Sequence, residues 1–338
     1  MDTIRYTLGD DLSEDFNAHI SGCSLLSEVE RAELIFHVEI MRHIQELNHL
    51  FQVFRFNLLT LRDSFVLTSS DTLTRKRLTK FEVNQSGEIR DATKQIEIEI
   101  SDGIAINALT ISLASSGVAL MESIKVFIEH DFSEYFKAPK GLSKTWLDEV
   151  YNKNFAYRLL YELRNFSQHG HLPISVDGSK FALDFIQLLS TPHYKHKKER
   201  REQIEAIAAE IFNCSERPRI AFTPTIADYN LCITKTYVDF LRKTKSAWRD
   251  SAKRVKAIVQ RYPSNIFKPN NSSFELFVFS LYDDDMHTID FGSAADNMVS
   301  DYLEKGKQIL LAEQAIYREF SKSYKRVKTS NPCHNDKK

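Results

Sequence analysis

The sequence predicts a mainly α-helical protein, and three of its features support that fold class. Its 338 residues include only 10 Gly and 8 Pro, which is few for a protein built from many short strands and tight turns. Apolar residues recur at three- and four-residue steps over long stretches, which is the spacing of one helix face. The run Gly103–Met121 contains no charged side chain, as expected of a helix buried on all sides.

The first helix is predicted to begin at Ser27. Ser27 and Glu30 have the spacing of a capping box, in which each residue bonds the backbone amide of the other. Apolar residues then follow at helical steps as far as about Leu61, namely Leu34, Val38, Met41, Ile44, Leu47, Phe51 and Phe54. The polar Ser69–Asp71 and the basic Arg75–Arg77 indicate a connector, so we predict an N-terminal helical region over residues 1–95.

A central helical bundle is predicted over residues 96–215. Residues 94–100 alternate Ile with polar residues, which fits a strand or the start of the next helix, and we expect the helix. The uncharged run approaches the length of a membrane span, but Asn107, Thr110 and several serines dilute it, so we expect a soluble core helix and no membrane. Two further helical segments are expected over Trp146–His169.

Small hairpins and more helices complete the predicted fold. Ile174–Val176 and Lys180–Leu183 flank an Asp-Gly pair, which is typical of a tight hairpin turn. A second hairpin is expected between 273–282 and 286–291. Helices are predicted at 196–212, 225–260 and 294–324, and residues 216–338 are taken as a C-terminal helical region with a loose tail.

Composition and motifs exclude several classes of protein. The net charge of −1 rules out a uniformly basic nucleic-acid coat. The four cysteines lie far apart, which predicts no disulfide framework, and the polar N-terminus has no secretion signal, so we expect a cytoplasmic protein. Phosphate-loop, serine-hydrolase and zinc-protease motifs are missing from the sequence, so no cofactor and no metal are predicted. The acids at 283–285 are interpreted as a solvated turn.

Basic residues concentrate in one part of the chain. Residues 195–261 contain 16 Lys and Arg against 8 Asp and Glu. Two readings stay open: solvated helix faces, or a surface that binds a polyanion with strong salt dependence. A second basic stretch, residues 242–256, includes Trp248. The RNA-binding candidates are the five residues at the start of the basic span, Lys195, Lys197, Lys198, Arg200 and Arg201.

The candidate catalytic residues Arg164, Asn165 and His169 lie near the end of a predicted helix. Gly170 and Pro173 are typical helix-stopping residues, and a His at a helix C-terminus is favoured as the imidazolium. RNA transesterification requires a group that takes or gives a proton and a fixed cation that stabilises the pentacoordinate phosphorus. An imidazole and a guanidinium supply those two functions without a metal.

At these residues the sequence resembles the HEPN superfamily, whose ribonuclease members carry an Arg, four to six intervening residues and a His, often with Asn after the Arg. The resemblance is detailed over about residues 155–173 and looks like the motif helix of bacterial defence and toxin proteins. It implies a helical bundle that forms a homodimer, in which two motifs share one cleft and cleave RNA endonucleolytically through the 2′-hydroxyl. His169 would be the general acid or base, Arg164 would stabilise the phosphate, and Asn165 would orient one of them or contact RNA.

Other interpretations of the motif stay open. Many HEPN proteins have lost catalysis, so the chain is alternatively a silent module that binds RNA or a regulatory protein partner. In a purely structural scaffold, Arg164 would pair with Glu162 or Glu129, and His169 would cap the helix. The same type of spacing also arises by chance in this sequence. Arg42 and His49 have it as well, either as surface residues of an amphipathic helix or as a second, degenerate HEPN unit.

Overall fold

The computed structural model describes a large part of the chain, and most of the described residues are helical, which confirms a mainly α protein. The residues described are 26–68, 75–79, 82–83, 89–90, 95–99, 102–131, 144–167, 174–177, 180–184, 202, 205–207, 209, 219–261, 280–282, 288–290 and 300–318.

Helices α1 to α6 contain most of these residues. They are α1, Glu28–Thr68; α2, Asp102–Val126, which a π-helical turn at Phe127–Asp131 continues; α3, Lys144–Lys153; α4, Phe155–Ser167; α5, Phe222–Val259; and α6, residues 300–318. Residues 202, 205–207 and 209, inside the helix predicted at 196–212, are helical too.

The start of α1 confirms the predicted capping box. The Ser27 amide donates to Glu30 Oε2 at 3.0 Å, and the Glu30 amide donates to Ser27 Oγ at 3.2 Å. These two bonds satisfy amides that the first turn of a helix leaves without intrahelical partners. Helix α1 ends at Thr68, beyond the predicted end near Leu61.

The described strands are short and pair antiparallel. Strand β1, Arg75–Thr79, pairs with β4, Gln95–Glu99, and β2, Glu82–Val83, pairs with β3, Ile89–Arg90. A three-stranded sheet has the order β5, Ile174–Asp177; β6, Lys180–Asp184; and β7, Arg219–Ala221. Strand β8, Ser280–Tyr282, pairs with β9, Thr288–Asp290.

One local prediction was wrong. Residues 94–100 were expected to begin a helix, but Gln95–Glu99 form β4, and the basic Arg75–Arg77 belong to β1 and not to a connector. The register pairs Arg75 with Glu99 and Thr79 with Gln95. The alternation of Ile and Glu suits a strand, but its partner lies elsewhere in the sequence, so the local pattern did not decide between strand and helix.

The chain divides into two compact units. The first contains Met1–Leu50, Met121–Glu149 and Thr234–Ala312, and the second contains Phe51–Leu120, Val150–Ile233 and Glu313–Lys338. Each unit draws on all three of the regions predicted from the sequence, 1–95, 96–215 and 216–338. Those boundaries therefore stay predictions, and each unit is described by itself.

In the first unit, aromatic and aliphatic side chains of α5 form much of the core. Phe240 is fully buried and meets Phe127 edge to face, with ring centroids 5.5 Å apart. The Tyr237 hydroxyl donates to Asn48 Oδ1 at 2.9 Å, so this buried phenol has a polar partner. Aromatic packing of this kind contributes beyond the area that it buries.

In the second unit, Tyr229 is the centre of the core. Its ring stacks on Tyr157 with centroids 6.1 Å apart and meets Phe54 edge to face at 5.9 Å. Its hydroxyl donates to the backbone carbonyl of Ala114 at 3.1 Å. Burial raises the pKa of this phenol well above its ordinary value, so Tyr229 is a neutral donor at physiological pH.

Among the described residues, one helical stretch, Ile104–Glu129, is long and apolar enough to cross a membrane by length and composition. Several of its side chains are fully buried within the protein, among them Leu113, Val118 and Ile124.

Candidate active site

Helix α4 carries the first two residues of the predicted constellation and is anchored by its N-cap. The Asn154 side chain accepts a hydrogen bond from the Tyr157 amide at 2.7 Å, which ties down the first turn. Most of the helix is then buried. The buried residues are Ala156, Tyr157, Leu159, Leu160, Glu162, Leu163, Asn165 and Phe166. A helix held in this way places Arg164 and Asn165 in a fixed backbone position in its last turn.

Arg164 and Asn165 contact each other through their side chains. Arg164 Nη1 donates to Asn165 Oδ1 at 3.3 Å. Asn165 is only 5% exposed, whereas Arg164 is half-buried. The guanidinium charge is thus held beside a buried amide.

The chemistry of the two groups fixes the orientation of the amide. A guanidinium has only donors, so the oxygen of Asn165 and not its nitrogen must face Arg164. Asn165 Nδ2 therefore points elsewhere, and it has no hydrogen-bond partner among the residues that the structure describes. Arg164 Nε is buried and likewise lacks a partner within that part of the chain. Buried donors without partners are costly and are rare in folded proteins.

An acidic and phenolic environment adjoins this helix face. Glu162 lies one turn before Asn165 and is 1% exposed. Burial, followed by the nearby Glu162 carboxylate, raises the pKa of Tyr151 to about 12. The Tyr151 ring meets Tyr157 and Tyr161 edge to face, at 5.7 and 5.8 Å. The phenol of Tyr151 is consequently a neutral hydrogen-bond donor at physiological pH.

The scaffold interpretation predicts that Arg164 pairs with Glu162 or with Glu129. Within the described ranges, the only hydrogen bond of the Arg164 guanidinium is with Asn165, and Arg164 forms no ion pair with Glu162. The scaffold interpretation also allowed a pair with Glu129, so it stays open.

The remaining predicted site residues lie outside the described residues. These are His169 and the five basic candidates, Lys195, Lys197, Lys198, Arg200 and Arg201. Of the sequence-predicted site, the structure therefore brings together Arg164 and Asn165. No group of three or more His, Cys, Asp and Glu that could hold a metal ion occurs among the residues described.

The second basic stretch, in the first unit, has its own structural contacts. Trp248 is 1% exposed and its indole donates to Thr244 Oγ1 at 3.0 Å, so it offers no ring face for stacking on a base. Arg254 pairs with Glu33 at 2.5 Å. This part of the basic span therefore contains internal structural interactions as well as exposed charge.

Arg42, of the Arg42–His49 pair, takes part in ion pairs on its own helix. Arg42 lies between two carboxylates on its own helix, with Nη2 2.8 Å from Glu39 and Nη1 3.1 Å from Glu46. Such i,i+3 and i,i+4 pairs are ordinary features of an amphipathic helix. The Arg42 guanidinium thus forms ion pairs with both carboxylates.

Sequence reasoning missed one buried polar contact close to the motif. Asn107 of α2 is 2% exposed, and its amide forms two hydrogen bonds with the backbone of Ile174. The signal was present, because an Asn in an otherwise uncharged apolar helix must find a partner when buried. Its partner lies 67 residues later, and nothing local identifies it.

The chain matches no protein-family model, and no curated protein or solved structure is detectably similar to it. The functional interpretation therefore rests on the residues of α4 and their surroundings.

Proposed function

We propose that the protein is a metal-independent endoribonuclease of the HEPN type that cleaves RNA by transesterification through the 2′-hydroxyl. The observation that carries this proposal is the half-buried Arg164 guanidinium, held beside the buried Asn165 amide in the last turn of α4. Each of the two side chains has a buried donor with no partner among the described residues. The guanidinium of Arg164 is itself half-buried, and a guanidinium is suited to binding phosphate oxygens.

In the proposed reaction, Arg164 binds the scissile phosphate and stabilises charge on its non-bridging oxygens. A fixed cation in a partly desolvated site is worth more than the same charge in water. His169 moves the proton, as general base to the 2′-hydroxyl or as general acid to the leaving 5′-oxygen. Asn165 orients the guanidinium through its Oδ1 atom or contacts RNA. The products would be a 2′,3′-cyclic phosphate and a 5′-hydroxyl.

We further propose that the central helices form a HEPN-like bundle that assembles as a cytoplasmic homodimer. Two copies of the motif would then face one cleft, and RNA would approach over the basic residues at 195–201. The use of such an activity in defence against phage or as a toxin, restrained by a regulatory protein, follows from the resemblance alone.

The proposal is tested by cleavage of a labelled single-stranded RNA in EDTA. Wild type is compared with Arg164→Ala and His169→Ala, and both variants should lose at least 100-fold in rate, as expected for loss of a transition-state contact or a proton-transfer group. Arg318→Ala and His49→Ala are matched controls, because each removes the same type of side chain from an exposed helix position outside the basic span. The matching DNA strand should not be cut, since it lacks the attacking hydroxyl.

The outcomes separate the proposal from its alternatives. Cleavage that persists in both motif variants removes the active-site assignment. Salt-sensitive retention of RNA without cleavage indicates the silent binding module. A protein that neither cleaves RNA nor retains it is best explained as a structural scaffold.

The homodimer has its own test. Arg164→Ala and His169→Ala are mixed, unfolded together and refolded, so that mixed dimers form. If two motifs share one cleft, the mixed dimer contains one intact Arg164 and one intact His169, and it should regain measurable cleavage. A protein that is monomeric by light scattering and shows no complementation contradicts the shared cleft.

A further inference from the structure

We infer that one face of α5 binds the phosphate backbone of an RNA strand, independently of the base sequence. The face carries a row of five basic side chains, which we call the α5 stripe: Arg242, Lys245, Arg249, Lys253 and Lys256. That the strand is RNA and not DNA rests on the proposed function. The electrostatic argument for a nucleic-acid backbone does not depend on it.

The five residues of the α5 stripe share one side of the helix. At about 100° per residue, they lie within an arc of about 80°, and they follow one another at steps of three or four residues over about 21 Å of helix. Arg242, Arg249 and Lys253 are exposed, and the other two are partly exposed. All five belong to the first compact unit. The helix therefore presents a row of positive charge to solvent.

Acidic side chains do not interrupt this row. Between Arg242 and Lys256 the sequence contains one acidic residue, Asp250, which lies about 60° outside the arc of the stripe. Asp239 precedes the stripe and pairs with Arg242 at 3.0 Å, so it offsets charge at one end only. The ion pair between Arg254 and Glu33 involves a basic residue that is not part of the stripe.

Helix stability alone does not explain this row of like charges. Neighbouring members of the stripe are three or four residues apart, and like charges at those spacings destabilise a helix. On α1 and α6, basic side chains pair instead with acids at the same spacings, Arg42 with Glu39 and Glu46, and Lys307 with Glu304. An ordinary solvated face mixes the two signs in this way. A local departure from what stabilises a helix is typical of a functional surface.

The length and charge of the stripe fit a nucleic-acid strand. A strand carries one phosphate per about 3.4 Å of duplex axis, so about 21 Å of helix faces about six phosphates. Lys and Arg both bind phosphate oxygens, and Arg does so in bidentate geometry. Trp248 lies between these positions in the sequence but is 1% exposed, so it does not stack on a base. Contacts with phosphates alone carry no base specificity.

Two other anionic partners fit the stripe less well. A helix that binds a membrane surface inserts exposed apolar side chains, and a protein interface is enriched in aromatic residues and depleted of Lys. Among the described residues, no exposed large apolar side chain belongs to α5. Three of the five stripe residues are Lys. These observations favour a nucleic acid over an anionic membrane or an acidic protein.

Binding of a 2′-O-methyl RNA strand tests the inference, because this strand keeps its phosphates and lacks the hydroxyl that the proposed cleavage uses. Fluorescence anisotropy gives Kd as a function of salt concentration. For a single strand, each phosphate contact contributes about 0.7 to the slope of log affinity against log salt. Lys245→Gln/Lys253→Gln should therefore lower the magnitude of the slope by about 1.4 and weaken binding at least 10-fold at about 0.1 M salt.

Two further variants separate the stripe from net charge and from folding. Lys305→Gln/Lys307→Gln removes the same charge from α6 of the same unit, at positions that are 66% and 43% exposed, and it should keep the wild-type slope. Lys245→Glu/Lys253→Glu places each new carboxylate four residues from Arg249, which favours the helix. This variant should bind RNA more weakly still, while its melting temperature does not fall below that of wild type.

The outcomes distinguish this inference from the proposed function. If wild type leaves unmodified RNA intact, the proposed function fails, and the binding of the 2′-O-methyl strand still decides the role of the stripe. An unchanged slope in Lys245→Gln/Lys253→Gln, or an equal change in the α6 variant, overturns the inference. A DNA strand should show the same change in slope, because its phosphates are equivalent, and a change confined to RNA contradicts a backbone site. Binding of polyglutamate or of phosphatidylserine vesicles that depends on the stripe and is tighter than RNA binding overturns it in favour of an acidic protein or a membrane.

Discussion

The phenol of Tyr229 lies so close to Gly117 of α2 that a methyl group on Gly117 would overlap its Oη atom and lie 2.9 Å from its Cζ atom. Tyr229 is fully buried and cannot move into solvent to make room. We therefore expect Gly117→Ala to destabilise the second unit. Overpacking costs about 1–3 kcal/mol, and the higher helix propensity of Ala returns about 1 kcal/mol, so the free energy of unfolding should fall by up to about 2 kcal/mol. Urea unfolding followed by circular dichroism measures the change.

Two further variants control this experiment. At Gly306, a methyl group would contact only one side-chain atom closely, Cγ2 of Val238 at 3.0 Å. Gly306→Ala should therefore leave stability within about 0.5 kcal/mol of wild type, because the propensity gain offsets a small displacement. Tyr229→Phe combined with Gly117→Ala removes the overlapping oxygen and should recover part of the loss. Equal effects of Gly117→Ala in the two backgrounds would show that the overlap is not the cause.

Glu313 is a buried carboxylate that two arginines hold in the second unit. It is 3% exposed, and both of its oxygens bind Arg62, at 3.0 and 2.5 Å. Arg55 and Asn230 also donate to it. Glu313→Gln removes the negative charge that Arg62 and Arg55 share and leaves their two guanidinium groups close together. We expect the free energy of unfolding to fall by about 3 kcal/mol, which is at the low end for a broken buried ion pair. Glu304→Gln, at a 60% exposed position on the same helix, should cost less than about 0.5 kcal/mol.

The same carboxylate gives an expected pH dependence. Burial raises the pKa of Glu313, but the hydrogen bonds from Arg62 and Arg55 outweigh it, and the net pKa lies below the ordinary value of 4.5. A group whose pKa is lowered on folding stabilises the protein above its unfolded-state pKa, and this stabilisation is lost as the pH falls through the folded-state value. Thermal unfolding below pH 4.5 should therefore depend less on pH in Glu313→Gln than in wild type. An identical acid dependence would contradict the role of Glu313.

His37 is expected to make the first unit sensitive to mild acid. It is 3% exposed, and its Nδ1 lies 2.9 Å from Ser251 Oγ. Burial, and then the nearby Arg254, lower the pKa of His37, whereas Glu33 opposes them. Folding thus favours the neutral imidazole, and its stabilising contribution is present above about pH 6.5 and is lost as the pH falls. Between pH 7.5 and 5.5 the loss is at most about 1.4 kcal/mol, the cost of keeping one imidazole neutral one unit below its ordinary pKa.

The matched pair for this prediction is His37→Asn and His49→Asn. Asn at position 37 can still bond the hydroxyl of Ser251 and does not titrate, so the decrease in melting temperature between pH 7.5 and 5.5 should become smaller. His49 is exposed on the same helix, so His49→Asn controls for the replacement of a histidine of this helix by Asn. If both variants keep the full decrease in melting temperature between pH 7.5 and 5.5, His37 is not the cause of the acid sensitivity.

Features set by nearby residues were predictable from the sequence. The capping box at Ser27 and Glu30 was identified by its spacing and is present with both bonds. The long apolar periods identified the mainly helical fold, because a helix buries one face at fixed steps. Strand β4, Gln95–Glu99, was assigned wrongly because its stability comes from pairing with β1, and that partner is not visible in the local pattern.

In the candidate site, too, features that depend on neighbouring residues were predictable, and contacts between residues distant in the sequence were not. The motif was proposed from Asn165 beside Arg164, from the helix stop that follows His169 and from the uncharged helix before them, because the spacing of Arg and His alone occurs by chance. The contact of Asn107 with Ile174 joins two elements 67 residues apart, so no local pattern could reveal it. Only the packing of α2 against β5 brings these groups together.

Asn165 offers a test that separates a functional residue from a structural one. Its Nδ2 is buried without a partner among the described residues, so its amide contributes little to folding there. We expect Asn165→Leu to leave the free energy of unfolding unchanged or to raise it by up to about 1 kcal/mol, since an apolar side chain of similar volume avoids the cost of an unsatisfied donor. RNA cleavage should nevertheless fall at least 10-fold, because the guanidinium loses its Oδ1 contact.

The same substitution at a second buried asparagine provides the comparison for that test. Asn48 is 6% exposed and accepts a hydrogen bond from the Tyr237 hydroxyl at 2.9 Å. Asn48→Leu removes an acceptor from a buried donor and should cost about 1–3 kcal/mol, with cleavage unchanged at temperatures where the variant is folded. Asn165→Leu should thus keep its stability and lose RNA cleavage, whereas Asn48→Leu should lose stability and keep RNA cleavage. If Asn165→Leu loses as much stability as Asn48→Leu and still cleaves RNA at the wild-type rate, Asn165 is a structural residue, because stability and not cleavage then depends on its amide.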